Sequence, residues 1–417
     1  MNQHRSTRLR NRKILPVLFL FAGALFRAKA HAAEGFPSLE QAVALAAARA
    51  PASVEARGAL DVANALGAGA RVSSLGNPYV EVIGDRGRYS RDAQIVSALF
   101  LPLEVQGQRG ARIREWERLV GWKRASQDGV LARTLGDTIA AYGEVNISSA
   151  RLAKARQAET NAKAEADILE QRLKEGDATL YDLSVARSEW SRWSQTRVSA
   201  EVEWIQASAR LSELIGRPSA RAEIVDVGAP SLRVPLPEED FTGWLSDSPV
   251  LRALKAESLF WEASGARANK EAWSPFSLVV TGGRGDSGEG RIGAGLAWTL
   301  PLFRKNQGEI ARATAETTRV ESVRSSLQAA LNERLRGAAQ TYRVALLGVR
   351  ELDQVGIPAA EAAAAGAVTA QKAGKGELAR VLIARRDLAA AQARRLDLLR
   401  LAWDSYAELA VAKGELP

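Results

Sequence analysis

Any chemistry this chain performs falls to carboxylates, guanidiniums, amines and hydroxyls. Cysteine is absent, and both histidines (His4, His31) and the single methionine (Met1) lie within the first 31 residues. Beyond them there is no imidazole to act as a base, no thiolate nucleophile, and no nitrogen or sulfur donor set for zinc or copper. No glycine-rich loop of the phosphate-cradling kind occurs, and no two carboxylates have a spacing that marks an acid–base pair. Neither a cofactor nor a metal is expected, and an enzyme is the weakest reading. The charges that do cluster flank two glycine breaks. Asp182 and Arg187 follow Gly176-Asp177, and Glu377, Arg380, Arg385 and Arg386 follow Gly374-Lys375-Gly376. One exposed ion pair contributes only ~0–1 kcal/mol. Several of them repeated round a narrow mouth would raise the local field. The chemistry these residues suggest is a releasable electrostatic closure, and they are candidate gate residues.

Long helices must position them. Gln106–Gly176 is charged, alanine-rich and free of proline, so it reads as one helix roughly 100 Å long at ~1.5 Å per residue. Gly176 breaks it, and a second helix runs from about Tyr181 to Leu214 before Gly216-Arg217-Pro218 stops it. On that helix Leu183, Ala186, Trp190, Trp193, Arg197, Ala200, Trp204, Ala207, Leu211 and Leu214 step by three and four, an a/d seam that needs a partner helix. The seam arginine is expected to fix register. Trp116, Trp122, Trp190, Trp193 and Trp204 are expected in seam packing. The break residues Gly176, Asp177 and Leu180, with Gly374, Lys375, Gly376 and Leu378 in the second break, form two tips available to a partner.

The pattern occurs twice. Pro51 and Pro249, Pro78 and Pro275, Pro102 and Pro301, and Gly176 and Gly374 are separated by 197 to 199 residues. At an offset of 198 the seam maps onto Val381, Ala384, Leu388, Ala391, Arg395, Leu398, Ala402, Ser405, Leu409 and Ala412, with Arg197 on Arg395. Register of this kind is specific where composition is not. The division expected is a signal over 1–32, a first repeat over 33–218, an irregular linker over 219–237 and a second repeat over 238–417. Ser38-Leu39-Glu40-Gln41 opens the first repeat as a capping box, a helix over Ala52–Val72 follows, and a kink is expected at Gly356-Ile357-Pro358.

Each repeat carries two strands of membrane-spanning length, Tyr79–Arg86 with Gln94–Leu101 and Phe276–Arg284 with Arg291–Leu300, the pairs ended by Pro102 and Pro301. In the last strand Ile292, Ala294, Leu296, Trp298 and Leu300 alternate with small or polar residues. Tyr79, Phe100, Phe276 and Trp298 stand where interfacial aromatics belong. Four strands cannot close a pore, and open edges are not tolerated in lipid. Closure must come from several copies: three would give twelve strands, with the helices projecting from one end as a tube. The fold class expected is mainly α with a membrane β-barrel portion, in a homotrimer embedded in membrane lipid.

The N-terminus fits export. A cationic MNQHRSTRLRNRK precedes an apolar ILPVLFLFAGALF, and Ala28-Lys29-Ala30 or Ala30-His31-Ala32 supplies a cleavage site that leaves an N-terminus near His31 or Ala33. Seven of the 57 Lys and Arg lie in the first 32 residues, which hold no acid, so the remainder carries 50 basic against 48 acidic residues. The net charge of +9 is thus mostly the signal's, and nucleic acid is not an expected partner.

The order of elements, the duplication, and the segments PLEVQGQRGARI, PLFRKNQGEIARA, GDATLYDLSVAR and LSELIGRP resemble the outer-membrane factor (TolC-type) family of efflux ducts across Phe36 to Ala412. NPYVEV, LEVQGQR and FRKNQGEIARA are most similar to its heavy-metal, CzcC-like branch. The resemblance implies a passive trimeric duct in the outer membrane of a Gram-negative bacterium. It also implies partners, a periplasmic adaptor and an inner-membrane pump of the resistance-nodulation-division type. Two departures stand out. The acceptor cysteine for a lipid anchor is missing. Aspartates that drug-exporting members carry beyond the second tip correspond to Arg380 and Ile383. The residues leave metal and organic substrates both open. A periplasmic coiled-coil adaptor without a pore is the alternative from another class, and the two hairpins in register speak against it.

Overall fold

The computed structural model describes residues 36–86, 93–217, 228–232, 236, 241–273, 275–284 and 288–413. The signal segment, most of the linker and the polar turn of the first strand pair lie outside the described residues. The first repeat consists of α1 (Leu39–Arg49), α2 (Pro51–Ala65), a single turn α3 (Gly67–Ala70), β1 (Tyr79–Arg86), β2 (Ala93–Leu103), α4 (Gln108–Glu175) and α5 (Leu180–Ile215). The second consists of α6 (Thr242–Ser246), α7 (Pro249–Glu271), β3 (Phe276–Arg284), β4 (Gly290–Trp298), α8 (Gln307–Glu351), a π-helical turn (Leu352–Gly356), α9 (Ile357–Lys372) and α10 (Leu378–Lys413). The duplicated helix, strand, strand, long helix, helix order is plain. Ser38 caps α1 and exchanges hydrogen bonds with Gln41, the capping box expected from sequence.

Three local expectations are corrected. The helix over Ala52–Val72 is two helices, ending at Ala70. Pro102 does not stop β2: it pairs with Ser277, and its carbonyl accepts from the Gly76 N–H at 2.8 Å. Proline lacks only the donor, so its acceptor can still serve an edge-type position. The kink before Pro358 is a π turn that leads directly into α9, with the proline in that helix's first turn. Widening the helix there relieves the clash and the missing N–H that proline imposes on an α-helix interior.

The strands form one antiparallel sheet in the order β1-β2-β3-β4, so the repeats meet through β2 and β3. The helical part is held by a central core in which α1, α4, α6, α8 and α10 converge. Ile139, Phe241, Tyr342, Leu399, Trp403, Tyr406 and Leu409 are buried there. Gly143 is needed within α4 because a Cβ at that position would come within 2.6 Å of the Trp403 ring. On α10 the expected seam is accompanied by a second buried stripe, Leu382, Leu396, Leu399, Trp403, Tyr406 and Ala410, because α10 packs against both α4 and the α8–α9 arm.

The tryptophans divide. Trp204 is buried in the α4–α5 seam. Trp116 lies over Gly67 and donates its indole N–H to the Ala63 carbonyl, and Trp122 stacks on Phe260, so both join helix pairs outside that seam. Trp190 is 36% exposed and Trp193 half-buried, so the seam loosens at that level. Arg197 is satisfied by Glu159 at 2.8 Å and Glu201 at 2.6 Å. Arg395 is held by Asp353 of the π turn at 2.5 Å.

Candidate functional site

The sheet is the first functional surface. Its pairing is continuous from Tyr79↔Phe100 through Leu99↔Val280 to Val280↔Ala294, so the faces follow by alternation. One face carries Val80, Val82, Ile95, Leu99, Leu101, Leu278, Val280, Ile292, Leu296 and Trp298, with Ser97 and the turn-end Arg284 as its polar members. The opposite face is mixed and holds Glu81, Asp85, Gln94, Ser277, Thr281 and Arg291. Ile292 is 90% exposed and Leu296 77%, an arrangement that apolar side chains adopt stably where lipid or a partner covers them. β1 and β4 are free edges within the chain.

The register separates the four interfacial aromatics. Phe276 and Trp298 stack at 4.8 Å on the apolar face, and Trp273 extends that stack at 6.0 Å from Trp298. Tyr79 and Phe100 stack at 4.5 Å on the mixed face. Both pairs sit at the end of the sheet where the helices begin. The duplication offset gave them equivalent places, but a one-residue slip moves a strand residue to the other side.

The tips are the second surface. Both breaks close in the same way. Gly176 (φ 85°) and Gly374 (φ 70°) occupy the left-handed region. The next N–H, of Asp177 or Lys375, reaches back to the carbonyl of Arg172 (2.8 Å) or Ala370 (2.9 Å). That is a Schellman closure, which favours glycine because a Cβ is strained at that φ. Thr179 then caps α5: its hydroxyl accepts from the Asp182 N–H, while the Asp182 carboxylate accepts from the Thr179 N–H (3.3 Å) and hydroxyl (2.6 Å). Asp182 is thereby committed to its own helix start. The Thr-x-x-Asp spacing was available in the sequence as a capping signal. Leu180, Leu378, Glu377 and Arg380 are at these ends, and Leu378 packs against the small core of Ala166, Leu169, Leu183 and Ala186.

The remaining charges link helices within the chain. Arg187 of α5 holds Glu170 of α4 at 3.0 Å. Arg385 of α10 holds Glu165 of α4 at 3.5 Å. Arg386 of α10 donates through Nε, at 3.0 Å, and through its terminal nitrogen to Glu189 of α5. Glu189 is only 4% exposed, and it also accepts from the Trp193 indole at 3.1 Å. The Arg386 hydrogen bonds hold its carboxyl below the usual range against the opposing effect of burial, and Arg192 adds to the lowering. Glu170 is lowered by its bonds to Arg187 and Lys174. Glu165, Glu170 and Glu189 were not identified from sequence. An acid next to a seam position looks like any solvated face until the partner helix is placed. Of these groups Glu165, Glu189 and Arg385 line a cavity of about 790 Å³ between α4–α5 and α9–α10, with an alanine-rich wall. Among the described residues no cluster of acids is arranged to hold a metal ion, and no helix is long and apolar enough to cross a membrane.

The chain thus combines an open-edged sheet that has one apolar face with paired long helices. The pattern of the outer membrane efflux protein family matches residues 31–217. The cobalt-zinc-cadmium resistance protein CzcC of Cupriavidus metallidurans is 26% identical over 325 residues, covering 78% of this chain and 77% of CzcC. Crystal structures of CusC superpose with a TM-score of 0.72 at 16% identity, over 90% of this chain and 91% of that one. The Campylobacter jejuni CmeC outer membrane channel gives 0.74 at 14% identity, over 91% and 86%. The first part of the chain thus carries the outer membrane efflux protein pattern, and the chain as a whole has the fold of these solved outer-membrane channels.

Proposed function

We propose that three copies of this chain close a twelve-stranded barrel in the outer membrane and form the exit duct of a tripartite efflux system. The observation that carries this reading is the sheet. β1 and β4 are unpaired, one face is apolar almost throughout, and unsatisfied strand edges are not stable in lipid. Joining β4 of one copy to β1 of the next satisfies both edges and turns the Glu81, Asp85 and Arg291 face toward a wet lumen. The tips around Gly176 and Gly374 meet a periplasmic adaptor, which couples the duct to an inner-membrane pump of the resistance-nodulation-division type. The duct is passive. Heavy-metal cations are the cargo we favour, supported by the similarity to a cobalt-zinc-cadmium resistance protein over most of both chains. Export relies on cleavage of the first 32 residues or so.

The periplasmic end is held by the inter-helix pairs of Arg187, Arg385 and Arg386, with Glu377 and Arg380 at the rim available to neighbouring copies. Asp182 contributes through its cap, which sets the direction of α5. Detergent-solubilised protein should have the mass of a trimer by light scattering. A stable monomer refutes the barrel. Deletion in the native host should sensitise cells to divalent metals more than to organic dyes. The reverse order moves the cargo to organic compounds and leaves the duct intact.

A further inference from the structure

The junction between β4 and α8 differs from its counterpart in the first repeat. Leu300–Lys305 is irregular, yet its backbone is pinned. Leu302 N–H donates to the Leu300 carbonyl at 2.9 Å, Lys305 N–H to Gln307 Oε1 at 3.0 Å, and Gln307 Nε2 to the Phe303 carbonyl at 2.8 Å. Asn306, the only non-glycine residue with positive φ (56°) among those described, fastens the segment to α7 through the Ala268 carbonyl at 3.0 Å. On this fixed backbone Phe303 is 87% exposed and Leu302 67%. Arg304 and Lys305 follow, both exposed, and neither forms an ion pair among the described residues. The Trp273–Trp298–Phe276 stack adjoins the segment on the apolar face of the sheet.

The first repeat shares one of these pins, Gln106 N–H to Gln108 Oε1 at 3.0 Å, but not the exposed ring and cations. By the Gln108–Gln307 equivalence, Glu104 stands in place of Phe303, and Val105 and Gln106 in place of the two cations. Glu104 is tied to Arg112 at 2.5 Å. A phenyl ring held out by an ordered backbone, beside unpaired cations and an aromatic stack at the membrane rim, matches the amphipathic profile of the lipid interface. The cations select a negatively charged headgroup.

We propose that Leu302–Lys305 binds an anionic glycerophospholipid of the inner leaflet, with Phe303 among the acyl chains and Arg304 and Lys305 on the headgroup phosphate. This rests on the outer-membrane reading above.

The test uses the full chain in detergent and in nanodiscs. Native mass spectrometry should show phosphatidylglycerol retained over phosphatidylcholine by roughly fivefold or more, with the preference lost in an Arg304→Gln, Lys305→Gln double variant. Because the chain has no cysteine, a Phe303→Cys variant takes a single spin label. That label should be relaxed by oxygen and not by an aqueous nickel complex. Equal retention of the two lipids, or a preference that survives the double variant, overturns the proposal. So does a label shielded from both relaxants, which would mean that a second copy covers Phe303. A chain that fails to insert into nanodiscs at all overturns the membrane reading itself.

Discussion

The two helical hairpins do the same job with different materials. In the first, α4 runs unbroken for 68 residues before it turns back into α5. In the second, the same span takes α8, a π turn and α9 before α10 returns. The tips close identically, so the difference lies in the arms. The first arm is also the common support. Equivalent arginines, Arg187 on α5 and Arg385 on α10, reach α4 from its two sides, to Glu170 and Glu165. Arg210 and Arg400 likewise both face Glu144 of α4, at 3.8 and 3.3 Å. A duplicated chain has here made one copy the stiff post and given the other a joint, at the level where Asp353 of the π turn holds Arg395. If the tips move apart, the second hairpin is the part with a built-in place to bend.

The largest test moves the proline. Thr160 is the position on α4 that corresponds to Pro358 at the duplication offset. Thr160→Pro should cost about 3 kcal/mol, because α4 has no π turn to absorb it. Pro358→Ala should cost little or stabilise. Thermal unfolding followed by circular dichroism separates the two. Equal effects would remove the distinction between post and joint.

Next is the buried cross-link between hairpins. Glu189→Gln or Arg386→Ala should cost about 2 kcal/mol, below the full figure for a buried pair because Arg386 is partly exposed. The Glu189 carboxyl is lower in the folded chain than the ordinary ~4.3. Its contribution is therefore present above that value and lost as pH falls through the folded value. Denaturation midpoints of parent and Glu189→Gln should converge as pH falls through that lowered value. A constant gap through that range would show that packing, not charge, is lost.

The tips should not discriminate. Gly176→Ala and Gly374→Ala each place a Cβ in the left-handed region and should cost about 1 kcal/mol apiece. A large inequality in their melting shifts would mean that the matching closures carry unequal loads. The smallest stability effects belong to the outer arginines, less than about 1 kcal/mol each. Their functional effects should differ. Arg385→Ala frees the jointed hairpin from the post and should raise planar-bilayer conductance more than Arg187→Ala, which loosens only the post itself. High salt should narrow that gap by screening.

What was legible in the sequence was whatever a short window or a fixed offset records. The break glycines, the Ser38 capping box, the four strands and the duplication were all visible because a turn, a cap and a period of two or three and a half are local properties. The seam arginines were found as anomalies in a period, and the structure supplied their acids. Tertiary structure alone decided the rest. Alternation tells that Trp298 and Leu296 share a face, but only the pairing of β2 with β3 tells that Tyr79 lies opposite them. The partners of Arg385 and Arg386 lie 220 and 197 residues away in the chain, on helices brought alongside by packing far from either residue. Glu189 is an ordinary acid in the sequence. It becomes a buried cross-link because α10 lies against α5 at that height, and no local pattern records where two long helices meet.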